Sequence, residues 1–523
     1  MRIGIDVGGT NTDAVLMDGD CVQAETKRPT TDDVTTGIVA ALRSVLETGG
    51  IAAGNVDAVM IGTTHFTNAV VEGRRLVPVA SIRLGLPATR SLPPLVDWPD
   101  RLRTAVAGET YLCHGGFEFD GREIAPLDRS EIQRVAADIA VRGLRAAAVA
   151  SVYSPISAEF EERTAEILRE EVPDLSVTLS SQLGRIGLLE RENAAVMNAS
   201  LSELASRITG AFRAALVQLG IDAPLYISQN DGTLMTAEHT ERYPVATFAS
   251  GPTNSMRGAA LLSGESDCAV VDIGGTTADI GVLEQGFPRE AKATVDIGGV
   301  RTNFRMPDVV SLGIGGGSLV QDTGGRVTVG PHSVGYELIR QALVFGGDVL
   351  TASDIAVAAG RASFGDASAV VRLAPDVVRR ALRVIETSIA EGIDRMKTTA
   401  GDIPVVMVGG GSVLLGDVLA GASRLVRPDH FSVANAVGAA IAQVGGEVDQ
   451  VFSIGALTRA QALELAREEA ADRAVEAGAR PDTVRIVDVE EVPIAYIPGD
   501  AVRIKVKAVG DLDYGRQRVA AHR

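Results

Sequence analysis

Two copies of one short pattern, about half a chain apart, constrain this sequence more than anything else in it. The first reads Gly4-Ile5-Asp6-Val7-Gly8-Gly9-Thr10 and reaches Asp13; the second reads Val271-Asp272-Ile273-Gly274-Gly275-Thr276 and reaches Asp279. In each, an apolar run ends in aspartate, turns on two glycines and resumes, the pattern of a β-hairpin with a glycine turn. Such a turn lets backbone N–H groups approach an anion with no Cβ in the way. A carboxylate beside a phosphate-binding turn makes chemical sense when a divalent cation lies between them. The expectation is two related lobes facing each other across a nucleotide. Asp6 and Asp272 are read as the catalytic carboxylates that hold Mg2+, and Gly8, Gly9, Thr10, Gly274, Gly275 and Thr276 as phosphate contacts. Asp13 and Asp279 either orient threonines and water or cap their turns.

A third glycine turn follows both hairpins. Val405-Val406-Met407-Val408 reads as a strand, and Gly409-Gly410-Gly411-Ser412 as a turn leading to a helix. Bare backbone there would let an adenosine lie flat. A plain strand connection is the alternative, and the order of the three turns favours the nucleoside site. The same logic extends to Gly62-Thr63-Thr64-His65, a strand-to-helix turn with free amides and N-cap hydroxyls; Thr63 and Thr64 are candidate catalytic residues.

The net charge of −18 repels phosphate backbones and argues against a general nucleic-acid binder. A nucleotide would then need local donors and a metal ion. At 523 residues the chain should form more than one domain, and its 46% hydrophobic content is ample for buried cores. No apolar run reaches the length of a membrane span, and no basic and apolar leader opens the chain. Cys21, Cys113 and Cys268 are an odd number without metal-ligand spacing. A cytoplasmic protein is expected, with Cys268 a small core hydrophobe.

Helical spacing is read over 35–48, 66–72, 130–142, 158–171, 188–219, 375–397, 435–444 and 458–477, and strands over 56–62, 146–152, 225–228 and 405–408. The segment 78–99, with four further prolines after Pro78, is read as an irregular crossing into an inserted lobe. Residues 311–318 are too glycine-rich for ordinary strand. Three regions are expected: 1–185 with the first hairpin and the inserted lobe, 186–450 with the second hairpin and the adenosine turn, and 451–523 as an α+β tail.

Hairpin, second hairpin and adenosine turn, in that order, resemble the actin-like ATPase superfamily. More narrowly, the chain resembles the hydantoinase A / 5-oxoprolinase family. The likeness is carried by the two hairpins, Gly62-Thr63-Thr64 with Thr67-Asn68-Ala69, Glu190-Arg191 with Asn198-Ala199, Ser250-Gly251-Pro252 and Gly315-Gly316-Gly317-Ser318. It implies an α/β fold of two actin-like, ribonuclease H-like lobes with an inserted α/β lobe and a small α+β C-terminal appendage. It also implies an ATP-dependent hydrolase that opens a cyclic amide, a hydantoin or lactam, with ATP and Mg2+. A B-type hydantoinase subunit is the implied partner; self-association stays open. A small-molecule kinase, an ATP-dependent ketone carboxylase component and an ATP-driven activator of another enzyme would use the same cleft. Three departures fall where substrate could bind: Ile61 where the family often has His, Asn230-Asp231-Gly232-Thr233 in place of Ser-Asn-Gly-Gly, and no Pro-Gly-Pro after Gly330-Pro331-His332-Ser333. His65 and His332 adjoin family segments and are either structural or functional. Arg191, flanked by Glu190 and Glu192, is either a solvated ion pair or a substrate contact. Arg301 and Arg305 either bind a carboxylate or protect a sheet edge.

Overall fold

The computed structural model describes residues 1–8, 11–29, 34–184, 186–291, 294–303, 306–441, 443–453, 457–494 and 501–514. Gly9, Thr10 and Arg305, and with them three of the sequence expectations, lie outside the described residues.

The first hairpin forms as read. Strand β1 (Arg2–Val7) pairs antiparallel with β2 (Asn11–Asp18), and β2 with β3 (Cys21–Pro29). Helix α1 (Val34–Gly49) covers one face with Ile38, Leu42 and Val45, and β4 (Ala58–Thr63) lies parallel to β1 on its other edge. Six of six β4 residues are buried, as expected of a strand covered on both faces. Helix α2 (His65–Glu72) follows directly.

The crossing at 78–99 is more regular than the prolines suggest. Val79–Leu86 is strand β5, one of the two inner strands of a four-stranded parallel sheet with Ala107–His114 (β6), Ala146–Ser151 (β7) and Ser176–Leu179 (β8). Pro78 and Pro87 flank the strand and interrupt none of its ladder. Helices α3 (Arg129–Arg142) and α4 (Glu159–Glu171) pack on this inserted sheet.

The long helical pattern at 188–219 is two helices, α5 (Leu188–Ser200) and α6 (Ser202–Gln218), which meet at Leu201. Arg191 is not a solvated ion pair. It is buried, with Nε donating to Ser180 Oγ at 2.9 Å and Nη2 to the Ser151 carbonyl at 2.5 Å. Beside it Arg83 of β5 grips Glu192 of α5 with two bonds of 2.6 Å, and both side chains are buried. These contacts join the inserted lobe to the first one.

After the short strands β9 (Leu225–Ser228) and β10 (Leu234–Thr236), helix α7 (Ser250–Ser263) leads into the second lobe. There β11 (Cys268–Ile273) and β12 (Ala278–Glu284) form the second hairpin, with β13 (Val309–Leu312) on β12. Helix α8 (Pro375–Met396) buries Ile385, Ile389 and Ile393 against them. Strand β14 (Ile403–Val408) runs parallel to β11, and β15 (Ala422–Val426) parallel to β14. Cys268 is buried at the start of β11.

The helix read over 435–444 ends early, as α9 (Ala434–Ala439), and strand β16 (Gln443–Ser453) takes over. Helix α10 (Arg459–Glu476) then packs Ala462, Ala466, Ala470 and Ala474 on β16 and on β18 (Ala501–Asp511), while β17 (Arg485–Pro493) forms the outer edge. The C-terminal elements thus extend the first lobe's sheet to nine strands, in the order β17-β18-β16-β10-β9-β4-β1-β2-β3.

Helices α7 and α9 meet backbone to backbone. A Cβ at Gly258 would lie 1.9 Å from the Ala434 carbonyl oxygen, and one at Gly438 would lie 1.8 Å from that of Asn254. Only glycine permits this approach.

Candidate active site

The two hairpins repeat each other residue for residue. Asp6 stands opposite Asp13 in the first ladder, and Asp272 opposite Asp279 in the second. Each turn is closed by one equivalent bond, Gly8 N–H to the Asn11 carbonyl at 3.0 Å and Gly274 N–H to the Thr277 carbonyl at 2.9 Å. The strands parallel to the two aspartates end in the other motifs: β4 in Gly62-Thr63, and β14 just before Gly409.

A cavity of about 370 Å3 lies between the lobes. Asp6 and Gly8 line it from one side, Asp272, Gly274 and Gly275 from the other, and Gly409, Gly410 and Gly411 close it. Gly409 has φ of +78°, and a Cβ there would lie 2.2 Å from Asp272 Oδ1. No other residue would let the turn pass so close to the carboxylate. Beyond this turn the wall becomes apolar, with Leu414 and the stacked rings of Phe345 and Phe364, 5.9 Å between centroids.

The carboxylates are crowded and dry. Burial, and then the nearby Asp13 charge, push Asp6 up to about 7. Burial likewise raises Asp272 and Asp13, and lifts Asp279 to about 6 although Ser311 donates to it. Asp6 Oδ1 is buried without a hydrogen-bond partner. An orphaned buried oxygen on a carboxylate that also feels the Asp272 charge fits a hard cation, which lowers both groups' cost of ionisation. Among the described residues no cluster of three or more acidic, His or Cys side chains could hold a metal. A cation here would rest on the two aspartates and complete its shell with water and phosphate oxygens, the usual habit of Mg2+.

Four residues that the sequence reading did not place at the site line or brace it. Asn435 of α9 donates to Asp6 Oδ2 at 2.9 Å and to Asp13 Oδ2 at 3.1 Å. Lys27 of β3 donates to both Asp13 oxygens at 2.6 Å, and is the single cationic side chain among the described lining residues. Ser255 of α7 donates to Asp272 Oδ2 at 2.5 Å. Gly316 lines the cavity because the triple glycine lies on the second turn: Gly316 N–H donates to the Gly274 carbonyl at 3.0 Å, and Gly317 N–H to that of Gly275 at 2.7 Å. Lys27 was findable, being one of five lysines and in register with Asp13. Asn435 carried no local signal, since its helix reads as plain Ala-rich packing.

Thr63, Thr64 and Thr276 do not line the cavity. Thr63 is buried in register with Val7, its hydroxyl 2.6 Å from His65 Nδ1, and Thr64 Oγ1 donates to the Val7 carbonyl at 3.4 Å. Burial pushes His65 down to about 4, so it is a neutral partner of Thr63. His332 is exposed on a hairpin. Arg301 is exposed and lies 3.6 Å from Glu190.

Residues 2–172 match the hydantoinase/oxoprolinase N-terminal region, and residues 191–403 match hydantoinase/oxoprolinase. The chain belongs to the hydantoinase/oxoprolinase family. Within that family it is similar to the caprolactamase subunit alpha of Pseudomonas jessenii, 28% identical over 84% of this chain and 65% of the relative. It is also 28% identical to the acetophenone carboxylase gamma subunit of Aromatoleum aromaticum, over 68% of this chain and 53% of the relative. The chain thus spans between half and two thirds of these relatives' lengths. Its fold is that of the ATP-dependent caprolactamase from Pseudomonas jessenii, with TM-score 0.75 at 21% identity, covering 97% of this chain and 87% of the other. It is equally that of nucleotide-free acetone carboxylase, with TM-score 0.68 at 18% identity, covering 98% and 88%. The α/β ATPase-like fold expected of this family is the one observed. Among the described residues no helix is long and apolar enough to cross a membrane.

Proposed function

We propose that this hydantoinase/oxoprolinase chain is the ATP-using component of a cyclic-amide hydrolase acting on a hydantoin or lactam. One observation carries the reading: both aspartate–glycine hairpins and the Gly409–Gly411 turn line a single cavity. Its size and its division into a polar, acidic end and an apolar, aromatic end suit the phosphates and the base of a nucleotide. Similarity to a caprolactamase subunit supports the amide as acceptor.

Amide resonance makes the carbonyl a poor electrophile. Transfer of the terminal phosphoryl of ATP to the amide oxygen would give an imidate-type phosphate; water would then add at that carbon, the ring C–N bond would break with its nitrogen taking a proton, and a second water would hydrolyse the resulting acyl phosphate to a carboxylate and phosphate. In this reading the chain's part is positioning and charge. Backbone N–H groups of the two glycine turns, other than those of Gly8 and Gly274 that close the turns, would meet phosphate oxygens. Asn435 and Ser255 hold Asp6 and Asp272 in fixed rotamers. Lys27 offsets the charge gathered at Asp13 and the phosphates. Mg2+ would be held by Asp6 and Asp272, where it neutralises phosphate charge. Thr63 and Thr64 act from behind the carboxylates, as supports of the β1–β4 strand ends. Residues 1–185 and 186–450 each supply one hairpin, and 451–523 buttress the first lobe. The relatives' names as subunits support a partner subunit, and the three free cysteines suit a reducing cytoplasm.

The test is ADP release with a panel of hydantoins and lactams, alone and with the product of a neighbouring gene. Asp6→Ala and Asp272→Ala should each weaken Mg·ATP binding strongly; unchanged affinity in both would sink the nucleotide assignment. A second reading, a carboxylase component, is favoured by the likeness to acetophenone carboxylase gamma subunit. It predicts ADP release that depends on bicarbonate and a ketone rather than on an amide.

A further inference from the structure

Helix α7 carries Ser255 toward the nucleotide cleft, and Arg257, two residues on, toward its opposite face. There a second cavity, of about 720 Å3, lies between α7, the first strand and the C-terminal sheet. Four arginines line it, Arg2, Arg257, Arg480 and Arg485, in a chain whose net charge is −18.

Two of these arginines make no ion pair among the described residues. Arg257 is buried to 7% exposure, yet its Nη1 donates only to the Gly286 carbonyl at 2.7 Å and its Nη2 only to Gln443 Oε1 at 2.5 Å. Its Nε–H has no acceptor. Arg485 makes no ion pair among the described residues. Both guanidiniums gather over one ring, with Arg257 4.0 Å and Arg485 5.9 Å from the centroid of Phe287. Burial, and the like charge of Arg485, lower Arg257 to about 10, although the Asp231 charge partly offsets them. A buried cation hydrogen-bonded only to neutral acceptors is costly, and a second cation beside it adds to the cost.

The nearby acids are engaged elsewhere, and Asp231 reaches Arg257 only through its field. Lys507 takes Asp231 at 2.9 Å, Arg424 takes Glu265, and Asp511 is shared by Arg480 at 3.6 Å and Gln443 at 3.2 Å. Asp513 has partners of its own. Asp20 stands at the rim, its side chain 77% exposed, 3.5 Å from Arg2.

We propose that this cavity is a second anion site, taking a small oxyanion that bears carboxylate or phosphate groups between Arg257 and Arg485. Guanidinium forks match both group types, and the Phe287 ring keeps the forks flat. The proposal does not rest on the nucleotide reading.

The test is calorimetric titration of the full chain with inorganic phosphate and, separately, succinate, at fixed ionic strength. Saturable binding of either is expected, and the preferred probe identifies the group recognised. Losing one charge-assisted contact should weaken binding about tenfold or more. Arg485→Ala, at an exposed position, should show that loss, and Arg257→Gln the same or more. Asp272→Asn should leave it unchanged, which separates this site from phosphate binding in the cleft. Equal affinity in wild type and Arg485→Ala, no saturation with either probe, or loss in Asp272→Asn alone would overturn it.

Discussion

Lys27 is where the charge balance of the cleft is decided. It answers Asp13, which shares Asn435 with Asp6, so one ammonium serves a chain of two buried carboxylates. Lys27→Met removes the only cation among the described lining residues and leaves Asp13 without its counter-ion, held by Asn435 alone; Lys27→Arg keeps the charge. We expect Lys27→Met to weaken ATP binding about tenfold, with Lys27→Arg retaining most of it, as read by competition against a fluorescent nucleotide. Equal affinity of all three proteins would remove Lys27 from the site. The aspartates and glycines of both turns were legible in the sequence, because their residue types do local work at the end of a strand. Asn435 and Ser255 were not. Each reaches its aspartate from a helix distant in sequence or on the far side of a turn, a relation that no local pattern encodes. Arg191 was misjudged for a related reason: acidic neighbours on a helix resemble a solvated face, and burial came from the inserted sheet packed above it.

Among the elements, β5 was the clearest loss. Prolines at both ends drew attention to the breaks and away from the strand between them. That strand carries Arg83, whose bidentate bond to Glu192 ties the inserted sheet to α5. Removing one partner of such a pair leaves an uncompensated buried charge. We expect Arg83→Ala to cost about 3–5 kcal/mol of stability, and Arg83→Met with Glu192→Leu to recover much of it, measured by chemical unfolding. If the single variant loses less than about 1 kcal/mol, the pair is not what joins these elements. The helical run at 188–219 shows the opposite limit. Its period passes through Leu201 without a break, so periodicity alone cannot register the change of axis there.

For the molecule as a whole, two facing lobes followed from the repeated hairpin, and the layout of the C-terminus did not. Sequence reading makes 451–523 an appendage, yet β18 lies between β16 and β17 in the first lobe's sheet and buries Val502, Ile504, Val506 and Ala508. A chain ended at 450 should therefore lose more than its tail. We expect it to be insoluble or to be digested rapidly in limited proteolysis, including within β16 and β10; a soluble, protease-resistant product would mean that the sheet closes without β18. The two helices in contact at Gly258 and Gly438 bear on the same question. Helix α7 steadies Asp272 through Ser255, and α9 steadies Asp6 through Asn435. Their backbones touch with no side chain between them, so that contact fixes how far apart the two carboxylates stand. It acts as a gauge: the size of any ion held between the two carboxylates, as proposed, would follow from two missing methyl groups on helices that line up behind them.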